Sequence, residues 1–187
     1  MEKSRIIIVE GPQGTGKTTL TNYLRDNIPS SNLYRLSGQK DKTNAGKIKS
    51  KMMYEALLKY LKEMQHIPMD LIFDRTFFSE EIYARLGYKE YSFTDVFHEL
   101  YHNLISLNYD IYLFLLYIED ISLYRERLNR EFHHNYQAFS IDNSKEQQNQ
   151  YLQLYTELKD SNIHIVPLAM DNYEIAYEKV NQLLKIR

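Results

Sequence analysis

An α/β fold, with a parallel sheet covered by helices on both faces, is the class this sequence predicts, on three observations. Short apolar runs alternate along the chain with longer stretches of helical periodicity. Three of those runs are almost wholly apolar, as strands buried on both faces should be. Between the first run, centred on Ile6-Ile7-Ile8-Val9, and the first amphipathic helix lies Gly-Pro-Gln-Gly-Thr-Gly-Lys-Thr at 11–18, a complete G-x-x-x-x-G-K-S/T phosphate loop.

Five runs read as strands: Arg5–Glu10, Leu33–Leu36, Leu71–Asp74, Asp110–Tyr117 and Ile163–Pro167. Lys47–Met64 reads as a helix with Ile48, Met52, Ala56, Leu57, Tyr60, Leu61 and Met64 on one stripe. Thr94–Leu107 does the same with Val96, Phe97, Leu100, Tyr101, Leu104 and Ile105. Its apolar face suits either the sheet or a homodimer contact. Segments 120–131, 145–160 and 173–186 complete the helices, the last burying Ile175, Ala176, Val180, Leu183 and Leu184. No repeat, low-complexity tract or Gly/Ser/Pro linker interrupts the 187 residues, so they read as a single domain, 1–187.

Composition narrows the function classes. A net charge of −2 offers no basic field to long nucleic acid or anionic membrane, which leaves small molecules as the expected partners. Cysteine is absent, which excludes disulfides and thiolate metal sites and fits a cytoplasmic location. The four-residue apolar start is too short for a signal-peptide core, and the longest apolar run, Ile111–Ile118, has the length of a strand rather than a membrane span. Seventeen Tyr and eight Phe against no Trp are expected mainly in core and rim packing.

The phosphate loop predicts nucleotide binding by a physical route. Backbone N–H groups of Gln13, Gly14, Thr15, Gly16, Lys17 and Thr18, with Gly11 before them and Thr19 after, should curl around phosphates at the positive end of the following helix. Lys17 would reach the β- and γ-phosphates, and the Thr18 hydroxyl would ligate Mg²⁺. ATP and Mg²⁺ are therefore the expected cofactors. Asp74-Arg75 follows a buried strand. Asp74 either holds Mg²⁺, usually through water, or caps the next helix; Arg75 either binds a phosphate with its planar fork or lies at the surface.

Other candidates carry two readings each. Arg125, Arg127 and Arg130 fall within six residues and suit a lid closing over a migrating phosphoryl group; Glu126–Arg130 and Arg127–Glu131 are equally ordinary i,i+4 pairs. Arg35, ending the second strand, and Phe77 and Phe78 suit an acceptor site, the cation holding a phosphate and a ring stacking on a base. The phenylalanines serve equally as helix core. Glu10 either contacts Mg²⁺-bound water or an acceptor hydroxyl, or has a structural hydrogen-bonding role. The polar stretches 37–46 and 132–144 both can reach the carboxyl edge of the sheet, where α/β folds bind ligands.

Taken together, Glu10-Gly11 entering the phosphate loop, Asp74-Arg75, and the arginine cluster after Glu119-Asp120 resemble the thymidylate kinase family, whose plan the deoxynucleoside kinases share. Thr43-Asn44-Ala45-Gly46-Lys47-Ile48 resembles the family's Gly-basic helix start, and 78–84 occupies the place of its base-pocket helix. The resemblance implies a P-loop three-layer α/β/α fold with a five-stranded parallel sheet of order 2-3-1-4-5. It also implies transfer of the ATP γ-phosphate to a nucleoside monophosphate. Arg75 would bind acceptor phosphate, and Arg125, Arg127 or Arg130 would belong to a lid at about 120–144.

The departures bear on the acceptor. Where thymidylate kinases have Arg-Glu-Pro-Gly, this chain has Arg35-Leu36-Ser37-Gly38, and it lacks the glutamate with which deoxynucleoside kinases deprotonate a sugar hydroxyl. A monophosphate already carries a nucleophilic oxygen and needs positioning more than a base, which favours it over a nucleoside. Thr76 stands where the family has an aromatic residue or His. The alternatives are a kinase of a nucleoside or of a hydroxyl on a modified base or nucleic-acid end, and, from another class, a GTP switch or regulatory NTPase. Asp-x-x-Gly and Asn-Lys-x-Asp, expected for the latter, occur nowhere in the chain.

Overall fold

The β-branched run Ile6–Val9 forms the centre of the sheet because it is apolar on both sides, each of its residues being at most 1% exposed. A computed structural model describes residues 3–130, 140–158 and 163–186, without the side chains of Asn129 and Arg130. The strands are β1 (Arg5–Glu10), β2 (Ser31–Arg35), β3 (Asp70–Asp74), β4 (Asp110–Tyr117) and β5 (His164–Ala169). They form one sheet of order β2-β3-β1-β4-β5, every pair parallel, as the resemblance implies. The helices are α1 (Lys17–Asn27), α2 (Asn44–Met64), α3 (Phe77–Arg85), α4 (Thr94–Ile105), α5 (Ser122–Arg130), α6 (Ile141–Leu158) and α7 (Tyr173–Leu184).

Alternate residues of each strand feed different layers. Ile6, Ile8, Leu113 and Leu115 point into the core beneath α2, α3, α4 and α6. Ile7, Val9, Phe114 and Leu116 point into the core beneath α1 and α7. The result is helix, sheet, helix. Register then aligns the carboxyl ends: Val9 and Arg35 both pair with Asp74, and Glu10 pairs with Leu115. Among the described residues no helix is long and apolar enough to cross a membrane.

Four details differ from the sequence pattern. β5 runs through Pro167 to Ala169, which an edge strand tolerates because one side needs no N–H donor. α6 begins at Ile141 because the Ser140 hydroxyl accepts the Asn143 N–H at 3.0 Å, an N-cap; residues 131–139 of the expected lid lie outside the described residues. On α7, Ile175 is 66% exposed and Leu183 is also exposed, while Ala176, Val180 and Leu184 are buried.

The fourth difference is the face of α2. Ile48 and Met52 are 62% and 64% exposed, and Tyr60 is exposed with them. The buried row is Gly46, Ser50, Tyr54, Leu58 and Leu61. The helix carries two stripes, and close approach selects the one with small residues: a Cβ on Gly46 would stand 2.1 Å from the Asp41 carbonyl oxygen. α4, by contrast, buries its predicted stripe from Val96 to Leu104 in the same core, so that face is taken by the sheet layer.

The two stripes of α2 should respond oppositely to substitution. Ile48→Gln and Met52→Gln should change stability by less than about 0.5 kcal/mol. Leu61→Ala, at a position 2% exposed, should cost about 2–5 kcal/mol. Urea denaturation midpoints at a common m-value provide the comparison, and equal losses from both stripes would refute this orientation.

Candidate active site

The site starts from the turn between β1 and α1. Gly11 has φ 149°, and a Cβ there would meet the Leu116 carbonyl of β4 at 2.8 Å, so only glycine lets the loop leave the sheet at this angle. Gly16 caps α1 in the left-handed region at φ 89°. The Pro12 carbonyl accepts both the Thr15 hydroxyl at 2.8 Å and the Lys17 ammonium at 2.5 Å, which braces the loop around its own backbone. Tyr124 and Leu128 of α5 lie within van der Waals reach of where a Gly14 side chain would be, so the arginine-rich helix sits on the loop.

Next to the loop, the Thr18 hydroxyl donates to Asp74 Oδ2 at 3.0 Å. A hydroxyl and a carboxylate in contact beside a phosphate loop suit a hard cation such as Mg²⁺. No group of three or more His, Cys, Asp or Glu among the described residues is placed to hold a metal ion by itself, so the remaining ligands would come from nucleotide and water. Arg35, with a half-exposed side chain, stands 3.9 Å from the same Asp74 oxygen and also bonds the Asn22 side chain.

The chain then makes a strained turn. Arg75 has φ 72°, a conformation that non-glycine residues adopt at a cost of order 1–3 kcal/mol and that clusters at functional sites. Its N–H still reaches Val9 O at 3.1 Å, but its side chain swings back along α3, where Nη1 donates to Ser79 Oγ at 3.1 Å and to the Tyr83 hydroxyl at 2.9 Å. Beneath it lies Glu10, with no exposed surface. One oxygen of Glu10 accepts the Thr76 N–H at 2.6 Å and the Thr76 hydroxyl at 3.2 Å. The other accepts Ser79 Oγ at 2.5 Å and the Tyr151 hydroxyl at 3.1 Å.

Electrostatics follow from this packing. Burial pushes the Glu10 carboxyl above its ordinary 4.5, against the opposing pull of the Arg75 charge and the hydrogen bonds from Ser79, Thr76 and Tyr151. Burial works against the Arg75 charge too, but Tyr83, Tyr151, Glu10 and Asp74 outweigh it and hold the guanidinium above its ordinary value. Burial, then the nearby Glu10, raises the Tyr151 phenol well above 10.

A cleft of about 550 Å³ runs between the phosphate loop, the Arg35–Gly38 end of β2, and Asp74, Arg75 and Tyr83. Thus Gln13, Gly14, Gly16, Lys17, Thr18, Thr19, Arg35, Asp74 and Arg75 come together around one space. A shallower hollow of about 660 Å³ on α7 contains no phosphate-loop residue.

Other candidates fall elsewhere. Phe77 and Phe78 are 1% and 0% exposed, stack on each other at 4.8 Å and belong to the core, so neither faces an acceptor. The turn at Arg75 is the reason: it sends Arg75 and Tyr83 to the cleft wall, Ser79 between them against Glu10, and the phenylalanines inward. Glu10 lies under Arg75 rather than on the cleft wall, which is its structural reading. Arg125 is exposed and does not line the cleft. Arg127 turns to the β5–α7 connection: Nη2 donates to Met170 O at 2.7 Å, and the guanidinium sits 4.7 Å over the Tyr173 ring. Arg130 closes α5, and its side chain lies outside the described residues. Ser79, Tyr83 and Tyr151 escaped the sequence reading. The four-residue spacing from Arg75 marks the first two, whereas nothing local marks Tyr151.

No family model matches this sequence, and no curated protein sequence matches it. Solved structures do match its fold. A deoxyadenosine kinase from M. mycoides, with dCMP and a flexible dCDP bound, is 15% identical over 96% of this chain and 98% of its own, with a TM-score of 0.68. Thymidylate kinase from Candida albicans is 15% identical over 98% of this chain and 93% of its own, with a TM-score of 0.69. The YorR protein of Bacillus subtilis, in complex with phosphorylated GDP, is 17% identical over 96% and 95%, with a TM-score of 0.67. The architecture is the three-layer α/β/α fold of P-loop kinases, with sheet order 2-3-1-4-5.

A raised Glu10 pKa has a signed consequence. Folded chains keep a proton that unfolded chains release, so this contribution to stability is fully present below pH 4.5 and lost as pH rises through the raised folded value. Glu10→Gln removes the titration. The melting temperature of wild type should therefore fall relative to Glu10→Gln as pH rises above about 4.5, in thermal melts at fixed ionic strength. A pH-independent difference between the two proteins would contradict a raised Glu10.

Proposed function

We propose that this chain is an ATP- and Mg²⁺-dependent kinase of a nucleoside monophosphate, a deoxynucleoside monophosphate foremost. The observation that carries this reading is Arg75, held charged on a strained turn and facing the phosphate loop across a cleft whose only carboxylate, among the described residues, is Asp74. Kinases sharing the fold, a deoxyadenosine kinase and a thymidylate kinase, support it.

On this reading the loop amides from Gln13 to Thr18 cradle the donor phosphates, and Lys17 leaves the Pro12 carbonyl for the β- and γ-oxygens. Thr18, directly, and Asp74, through water, would hold Mg²⁺, which when bound neutralises charge on the phosphates. Arg75 and Arg35 grip the acceptor phosphate. One of its oxygens forms the new bond to the γ-phosphorus while the bond to the β,γ-bridging oxygen breaks, yielding ADP and a diphosphate. That oxygen is already ionised, so no general base is needed. A hydroxyl acceptor would require one, and Asp74, the one carboxylate lining the cleft among the described residues, is engaged by Thr18, while Glu80 behind Gly38 is paired through Oε1 with Lys89 and Tyr91. The flat face made by Arg127 and Tyr173, beside Gly16, suits the donor base.

Purified protein with ATP and Mg²⁺, offered a panel of nucleosides, nucleoside and deoxynucleoside monophosphates and oligonucleotides, should form ADP only with monophosphates. Lys17→Ala should reduce that turnover by about 10²–10³-fold. ATP hydrolysis independent of acceptor, or no turnover with tight GTP binding, would overturn the kinase reading. Arg75→Ala should raise the acceptor KM at least about ten-fold while ATP binding by calorimetry stays within about two-fold. Equal losses for donor and acceptor would remove Arg75 from the acceptor role.

A further inference from the structure

We infer that Tyr151 is a positioning residue for the acceptor arginine, through which α6 ties Arg75 to the donor loop; the inference rests on the kinase reading above. Tyr151 is 1% exposed, comes from a helix far along the chain, and touches neither the cleft nor the phosphate loop. Its hydroxyl nevertheless lies 3.1 Å from Glu10 Oε2 and 3.0 Å from Ser79 Oγ, and Ser79 Oγ accepts Arg75 Nη1. It closes the side of the Arg75 cluster that faces away from the cleft.

The same face of α6 reaches the donor side. Ser144, Gln148 and Tyr151 stand at i, i+4 and i+7. The Ser144 hydroxyl donates to the Gln13 carbonyl of the phosphate loop at 3.3 Å. Gln148 bonds both the N–H and the carbonyl of Ile118 at 2.9 and 3.0 Å and accepts the Tyr124 hydroxyl at 2.6 Å. Tyr124 in turn packs at Gly14. One helix face thus contacts the donor loop, the helix lying on that loop, and the back of the acceptor arginine.

Proton counting shows why a hydroxyl matters at 151. Glu10 Oε2, Ser79 Oγ and Tyr151 Oη approach one another at 2.5, 3.0 and 3.1 Å. With Ser79 and Tyr151 both donating to the carboxylate, the Ser79 oxygen stays open to accept Arg75. Phenylalanine at 151 would fill the same volume but take a donor from a fully buried carboxylate, and such a group recruits the nearest spare one. That donor is the Arg75 guanidinium. It would turn inward toward Glu10 and away from the acceptor phosphate.

Steady-state kinetics of the full chain with ATP and its best monophosphate test this. Tyr151→Phe should raise the acceptor KM about ten-fold, with kcat and the ATP KM within about two-fold. Ser79→Ala should do the same, and the double variant should be no worse than either single one, since both break one path. Leu154→Val, a core substitution on the same helix, should lower the melting temperature while leaving the acceptor KM unchanged. The proposal is overturned if Tyr151→Phe lowers the melting temperature without moving the acceptor KM, if donor and acceptor KM rise together, or if the Tyr151 and Ser79 effects multiply. In any of those cases wild-type turnover still stands. A wild-type enzyme that phosphorylates no monophosphate brings down the kinase reading and this role with it.

Discussion

A single buried carboxylate organises the working edge of this molecule. Glu10 ends the central strand, has no water around it, and must find hydrogen-bond donors within the protein or carry a large desolvation cost. It finds them on three other elements: the Thr76 backbone after β3, the Ser79 side chain on α3 and the Tyr151 side chain on α6. Meeting that demand fixes where β3 must turn and which way α3 must point. The left-handed conformation at Arg75 is the consequence. A bond from a backbone N–H to a buried carboxylate, about twice the strength of a neutral one, offsets a backbone strain of order 1–3 kcal/mol.

Parallel register does the rest of the assembly. Because Val9 and Arg35 share Asp74 as partner, the phosphate loop after β1, the acid at the end of β3 and the cation at the end of β2 are delivered to one edge without long-range adjustment. The two apolar layers hold the sheet, and the one that contains Tyr151 also sends its hydroxyl to Glu10 at this edge. The cleft is therefore lined from three short segments, 13–19, 35–38 and 74–83.

Much of this was legible in the sequence, and the divisions are physical. β1 and β4 matched to the residue, because their apolar runs are bounded by charged residues, Arg5 and Glu10 on β1 and Asp110 on β4. The phosphate loop and Asp74-Arg75 were legible because their chemistry demands particular residues beside a strand end. α2 was misread because two apolar stripes compete on it, and only the approach of Asp41 to Gly46 chooses between them. Phe77 and Phe78 carry two readings in the sequence for a related reason: the direction of α3 depends on a backbone conformation at Arg75 that residue type does not predict. Tyr151 was invisible because its partners lie 72 and 141 residues away.

The charges around the cleft also explain how a guanidinium and a carboxylate can line it side by side without pairing directly. Arg75 is stabilised chiefly from behind, by Tyr83, Tyr151 and Glu10, with Asp74 contributing less than any of them. Asp74 contacts instead the Thr18 hydroxyl at 3.0 Å, with the half-exposed Arg35 farther off at 3.9 Å. Had Arg75 been paired directly with Asp74, each would have consumed the other's charge in the low-dielectric cleft. Placing a second, fully buried acid beneath the arginine separates the two tasks. On the kinase reading proposed above, it would leave one face of the cleft for phosphate and the adjacent one for a metal-bound donor.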